Sequence, residues 1–172
     1  MPKTILDHAP VRAAATAQGA DAALGELPGW NLGDLYAAPD APEFKSDLAE
    51  ARRRAEAFET RWKGRIEEAA RSSGDEGLGA AIEAYEQLEE LMGRIISYAG
   101  LAYFTDTSDT RIAKFYGDVQ SAMTDTSAHL LFFALELNRI DDAVIEDSLS
   151  RDPRAAHYTP WIHDLRLDRP YQ

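Results

Sequence analysis

The sequence predicts an all-α protein, an antiparallel array of long helices followed by shorter ones toward its C-terminal end. Three observations carry this expectation. Apolar side chains recur every three or four residues through three long stretches, the spacing of one helix face. Short breaks rich in Gly, Ser, Thr and Asp separate those stretches, and connections of about six residues favour antiparallel neighbours. No stretch competes with the alternating pattern of a strand. A length of 172 residues suits one domain, which at this size buries roughly 70% of its unfolded surface.

Residues 1–25 are small, polar and Ala-rich without an apolar period, and predict a flexible leader ahead of a helical lobe over 26–172. In "LPGWNLGDLYAAPDAPEF", Pro28, Gly29, Gly33, Pro39 and Pro42 punctuate Leu27, Trp30, Leu32, Leu35 and Tyr36, so the segment should run extended, pinned by its rings. Asp40 and Glu43 have capping-box spacing and Pro42 falls in a first helical turn. Phe44, Leu48, Ala51, Ala55, Phe58, Trp62, Ile66 and Ala69 then predict one helix of about 27 residues, roughly 40 Å long. "SSGDEG" ends it.

A second helix should run from Leu78 through Ile82, Tyr85, Leu88, Met92, Ile95, Ala99 and Ala102, becoming apolar on nearly every face in its second half. Gly93 and Gly100, seven residues apart, suggest a close backbone approach there. After "TDTSDT", with Ser108 or Asp109 as cap, the series Ile112, Tyr116, Val119, Met123, Thr126, Leu130, Phe133, Leu137 and Ile140 predicts a third long helix. Asp141, Asp142, Val144, Ile145 and Leu149 suggest a shorter fourth, closed by Asp152-Pro153. Thr159 as cap and Pro160 at the first position open a last one.

The formal charge of −12 sets up a negative field that repels phosphate backbones and anionic headgroups, so neither nucleic acid nor membrane is an expected partner. Arg52, Arg53 and Arg54 sit among Glu50, Glu56 and Glu59, the arrangement of a solvated helix face. Cysteine is absent, which removes disulfides, thiolate metal sites and Cys nucleophiles. Near the start, Ile5 and Leu6 are cut off by Asp7, too short for the apolar core of a signal peptide, and a cytoplasmic location is expected. "LMGRIISYAGLAYF" holds Arg94 and falls well short of the roughly 20 residues that cross a bilayer.

Zinc hydrolysis needs imidazoles on one helix face, most compactly as HExxH, and none of the four His fits. There is no GxSxG elbow, Walker loop, GxGxxG turn or EF-hand loop either. Asp125, His129 and Glu136, at offsets of four and seven, share a face and would make a ligand or acid/base group. The alternative is a half-buried His balanced along its own helix, with Glu136 reaching Arg139. The aromatics Tyr85, Tyr98, Tyr103, Phe104, Phe115, Tyr116, Phe132 and Phe133 either fill the core or line a groove for peptides. No catalytic, cofactor-binding or metal-ligating residue is assigned in this chain.

Taken together, "LPGWNLGDLYAAPDAPEF", "ISYAGLAYFTDTSD", "HLLFFALELNRIDD" and "YTPWIHDLRLDRPYQ" resemble, in order and spacing, the N-terminal region of the oligoendopeptidase F family, zinc peptidases akin to thimet oligopeptidase. The resemblance covers about residues 24–172. It implies a mostly helical, non-catalytic lobe walling one side of a channel for short peptides, with zinc held by an HExxH-bearing catalytic domain further along the chain. It also implies apolar faces that pack on that domain or, failing it, self-associate. The competing expectation is a stand-alone helical module that holds a peptide or partner helix in the same groove.

Overall fold

A computed structural model describes residues 31–167 and 169. The leader expected over 1–25, together with Leu27 and Trp30, lies outside them. The described residues are α-helical with no strand among them, as the periodicity predicts.

The segment before the first helix is pinned by its ring. Tyr36 is buried, stacks edge-on against Phe44 and Tyr98, and donates to Asp47 at 2.7 Å, while Arg94 holds the same carboxylate at 2.6 Å. Helix α1 spans Pro42–Trp62 and buries Phe44, Ala51, Ala55, Phe58 and Trp62. It starts at the expected proline, but Ala41 occupies the cap and no side chain caps it, so the Asp40–Glu43 box does not form. Its outer face carries the arginines as short-range ion pairs, Arg53 and Arg54 on Glu50 and Arg52 on Glu56.

The 27-residue helix predicted from the apolar spacing is two helices. After Trp62 the chain turns through Gly64, whose φ of 78° is left-handed and open to glycine, and resumes as α2 over Ile66–Arg71. The Gly64 N–H, lost to the helical ladder, donates to both oxygens of Glu136, at 2.8 and 3.0 Å. Ile66, Ala69 and Ala70 are buried beyond the turn, which is why the periodicity runs through it unbroken.

A single 3-10 turn over Gly74–Glu76 leads into α3, Leu78–Thr105, the longest helix at 28 residues. It buries Leu78, Ile82, Leu88, Met92, Ile95, Ala99 and Ala102 of the predicted face. Helix α4, Thr110–Ala128, is capped by Asp109, which accepts from the N–H groups of Arg111 and Ile112. The third predicted helix is also divided. At His129 and Leu130 the bonding tightens to three-residue steps (His129 to Thr126, Leu130 to Ser127, Phe133 to Leu130) before α5 begins over Leu131–Arg139. Because Leu130, Phe133, Leu137 and Ile140 are buried on the far side as well, no irregularity shows in the apolar pattern.

Helix α6, Asp142–Arg151, is the expected shorter helix and is capped by Asp141, and Asp152 caps α7, Pro153–His157. Helix α8, Thr159–Leu167, already includes Thr159, which bonds back to the Ala156 carbonyl instead of acting as a cap.

Two aromatic clusters set the directions. Phe44 at the start of α1 meets Tyr98 late in α3 and Phe115 early in α4. Phe58 near the end of α1 meets Tyr85 early in α3 and Phe132 and Phe133 of α5. Helix α3 therefore runs antiparallel to both α1 and α4 and is the central rod of the lobe. Two arginines close helix ends, where carbonyls run short of helical donors. Arg151 donates to the carbonyls of Ala70 and Arg71, ending α2, and Arg166 donates to those of Leu137 and Ile140, ending α5.

The expected close approach at Gly93 and Gly100 falls elsewhere. A Cβ on Gly93 would meet nothing within 4 Å, and one on Gly100 only the rings of Tyr116 and Phe104 at ordinary contact distance. The tight position is Gly79, where a Cβ would lie 2.6 Å from the Ala155 nitrogen and the Arg154 Cβ. Glycine here lets α7 lie directly on the first turn of α3.

Candidate functional site

Along one face of α3, two adjoining spaces open between side chains, and these form the candidate site. Tyr85, Glu89, Met92, Gly93 and Ile96 succeed one another on α3 at helical spacing, so they form one strip. Opposite the strip's second half, α4 presents Gln120, Met123, Thr124 and Ser127 and encloses a groove of about 390 Å³. Opposite its first half, Tyr158 and Trp161 of the α7–α8 region close a second space of about 320 Å³ with Ile82, Tyr85, Glu86 and Glu89. Glu89 lines both, so the two spaces meet at its side chain.

Each feature of this strip has a local cause. Gly93 leaves the middle of the groove open because no side chain fills it. Met92 and Met123 are buried and give an apolar, deformable floor, while Gln120, Thr124 and Ser127 put an amide and hydroxyls on the opposite rim. In the other space, Tyr85 stacks on Phe133 at 4.8 Å between centroids and faces Trp161 at 6.0 Å, so both rings are fixed by the core.

The electrostatics of the strip are acidic. Desolvation pushes the Glu89 carboxyl above the usual carboxylate range, even though the residue keeps exposed surface. The Tyr85 hydroxyl is raised by desolvation first and by the Glu89 charge second. Tyr158 is pushed up to about 12, again chiefly by burial, and donates to Glu86 at 2.6 Å.

Asp125 and His129 face one cleft, but Glu136 does not join them. His129 Nδ1 lies 2.5 Å from Glu59 of α1, and the Glu59 carboxyl is held below its usual range by that bond first and by Lys63 second. Glu136 is used at Gly64, while Asp125 and His129 together line a cleft of about 520 Å³ between α1 and α4 with Lys45, Leu48 and Arg52. Nothing in the sequence pairs His129 with Glu59, seventy positions away, since the contact depends on which helices become neighbours. Among the described residues no three His, Cys, Asp or Glu side chains are grouped so as to hold a metal ion. None of the helices in these residues is long and apolar enough to cross a membrane.

The aromatic series divides among three places. Tyr98, Phe132 and Phe133 are buried in the core, whereas Tyr85 walls the groove. Tyr103, Phe104 and Tyr116 gather at the end of the α3–α4 hairpin, with Phe104 69% exposed. Glu89 and Trp161 escaped the reading of the sequence: Glu89 looks like one more surface carboxylate, and Trp161 like a ring at a helix start. No protein-family model, curated protein or solved structure matches this chain.

Proposed function

We propose that this chain is the N-terminal helical lobe of an oligoendopeptidase F-type zinc peptidase, and that the exposed strip of α3 walls the channel in which short peptides lie. The observation that carries the proposal is the pair of spaces joined at Glu89. Their strip runs from Ile82 to Ile96, 14 helical steps or about 21 Å, the span of roughly six residues of extended peptide. The methionine floor suits apolar side chains, and the Gln120, Thr124 and Ser127 rim suits the polar backbone between them. Large apolar residues left outside the core, Leu131, Leu135, Phe104 and Leu167, would pack on further polypeptide in the full-length enzyme.

In this reading the lobe's residues bind and orient, and the zinc, held by a separate catalytic domain, supplies the activated water. The test is to follow the source reading frame beyond Gln172 and to assay the encoded protein with a quenched fluorescent heptapeptide and zinc. An HExxH motif in frame and zinc-dependent cleavage, with none by the 172-residue chain alone, are expected. A stop codon after Gln172, or an encoded protein without peptidase activity, would overturn the peptidase reading in favour of a stand-alone peptide-holding module.

A further inference from the structure

We infer that the junction at Glu89 takes an arginine or lysine side chain of the bound peptide, holding its cation between the Glu89 carboxylate and the Tyr85 and Trp161 rings. The inference rests on the peptide reading of the α3 strip and adds the chemical class of residue that the strip selects.

Three independent features converge on a cation. The first is the carboxylate's position: Glu89 stands where both spaces open, and no lysine or arginine pairs with it among the described residues. Its one side-chain partner is the neutral Tyr85 hydroxyl, which leaves its charge unbalanced, whereas the charges around it are spoken for. Arg154 is committed to Glu83 and Asp75, Glu86 receives the Tyr158 hydroxyl, and Arg94 is committed to Asp47. The second is the wall. Tyr85 and Trp161, 6.0 Å apart with planes at 40°, each stack one face on Phe133 and line the space with the rest of the ring, which attracts a guanidinium or ammonium. The third is the setting of the carboxylate, which lies against the Tyr85 ring while still open to solvent, so an incoming cation can reach it and gain a charge-assisted hydrogen bond. A bare metal ion would find one carboxylate and two aromatic rings, which is a poor oxygen shell. A guanidinium with a three-carbon stem fits both the rings and the carboxylate.

The experiment uses the 172-residue chain, uniformly labelled with nitrogen-15, titrated with three hexapeptides that differ at one central position. That position is arginine, its uncharged near-isostere citrulline, or glutamate. The arginine peptide should bind roughly tenfold more tightly than the citrulline peptide, the size of effect expected for one partly desolvated charge-assisted bond. Its shifts should centre on Tyr85, Glu89 and Trp161. Glu89→Gln should abolish the preference while preserving binding of the citrulline peptide, and Glu90→Gln, one position along and facing away from the strip, should change nothing. Equal binding of the arginine and citrulline peptides at the strip would overturn the selection and leave the peptide groove standing. Failure of all three peptides to bind would overturn both. A preference for arginine that survives Glu89→Gln would overturn the assignment to Glu89.

Discussion

At the scale of single residues, two glycines of one helix have opposite reasons to be glycine. Gly79 is enclosed: a methyl group there would press against the backbone nitrogen of Ala155 at 2.6 Å, and backbone in a capped helix cannot step aside. Gly79→Ala should therefore cost about 1–3 kcal/mol, the range of overpacked positions, despite the better helix propensity of alanine. Gly93 faces the open groove, where a methyl group meets nothing within 4 Å. Gly93→Ala should leave the fold as stable or stabilise it by up to about 1 kcal/mol. Urea denaturation midpoints of the two variants decide this, and a Gly93→Ala protein less stable than the parent would show that the groove closes on that residue in solution. In the sequence the ranking is inverted. Gly93 and Gly100 draw attention by their spacing, while Gly79 looks like an ordinary residue of a first turn, because only the neighbouring helix makes it tight.

At the scale of elements, helix faces are legible throughout the sequence, and helix ends only where a local signal marks them. Leu78 to Ala102, Asp109 as a cap and the proline start of α1 are readable, because each depends on residues within one or two turns. The breaks at Gly64 and at His129 are not, because the apolar face is buried on both sides of each and the count of three or four residues continues across. What stabilises the broken ends comes from afar. Glu136 satisfies Gly64, and Arg166, with a side chain only 11% exposed, closes the end of α5 through two carbonyls while bonding Asp142 at 2.5 Å. The candidate site shares this origin, since Glu89 gains its setting from Trp161, seventy-two positions on. Arg166→Met keeps the packing stem and removes the donors, leaving the Ile140 carbonyl without its arginine partner and the Leu137 carbonyl with only the long 3.4 Å bond from the Ile140 N–H. It should cost about 2–3 kcal/mol in chemical denaturation. Arg52→Met removes an exposed pair with Glu56 and should fall within experimental error. Equal effects from the two variants would mean that Arg166 is just another surface charge.

At the scale of the whole molecule, an excess of carboxylates governs how the fold responds to acid. The chain carries 30 Asp and Glu against 18 Lys and Arg, and several carboxylates are held below their ordinary values by partners. Hydrogen bonds from Arg53 and Arg54 lower Glu50 from 4.5 to about 2. Glu59 is lowered by His129 and then Lys63, Asp142 by Arg166, and Asp109 by Arg111. Each of these groups binds protons more readily once the chain unfolds. The stability they contribute is therefore complete above their unfolded pKa values and is lost as pH falls through the folded ones, for Glu50 between 4.5 and about 2. Glu89 works in the opposite sense, because its raised carboxyl is more easily protonated in the folded chain, and its desolvation is relieved as pH falls. One such group does not offset four. Between pH 7 and 5 the melting temperature should hold or rise slightly as mutual repulsion among the carboxylates eases, and below pH 4 it should fall steadily. Glu50→Gln should make that acid limb shallower, and 0.5 M salt should shrink the difference between parent and variant, since these pairs are solvent-exposed. Thermal unfolding followed by circular dichroism from pH 7 to 2.5 measures all three. A melting temperature that stays level to pH 2.5, or a Glu50→Gln protein with an unchanged acid limb, would mean that these carboxylates are no better partnered in the folded chain than in the unfolded one.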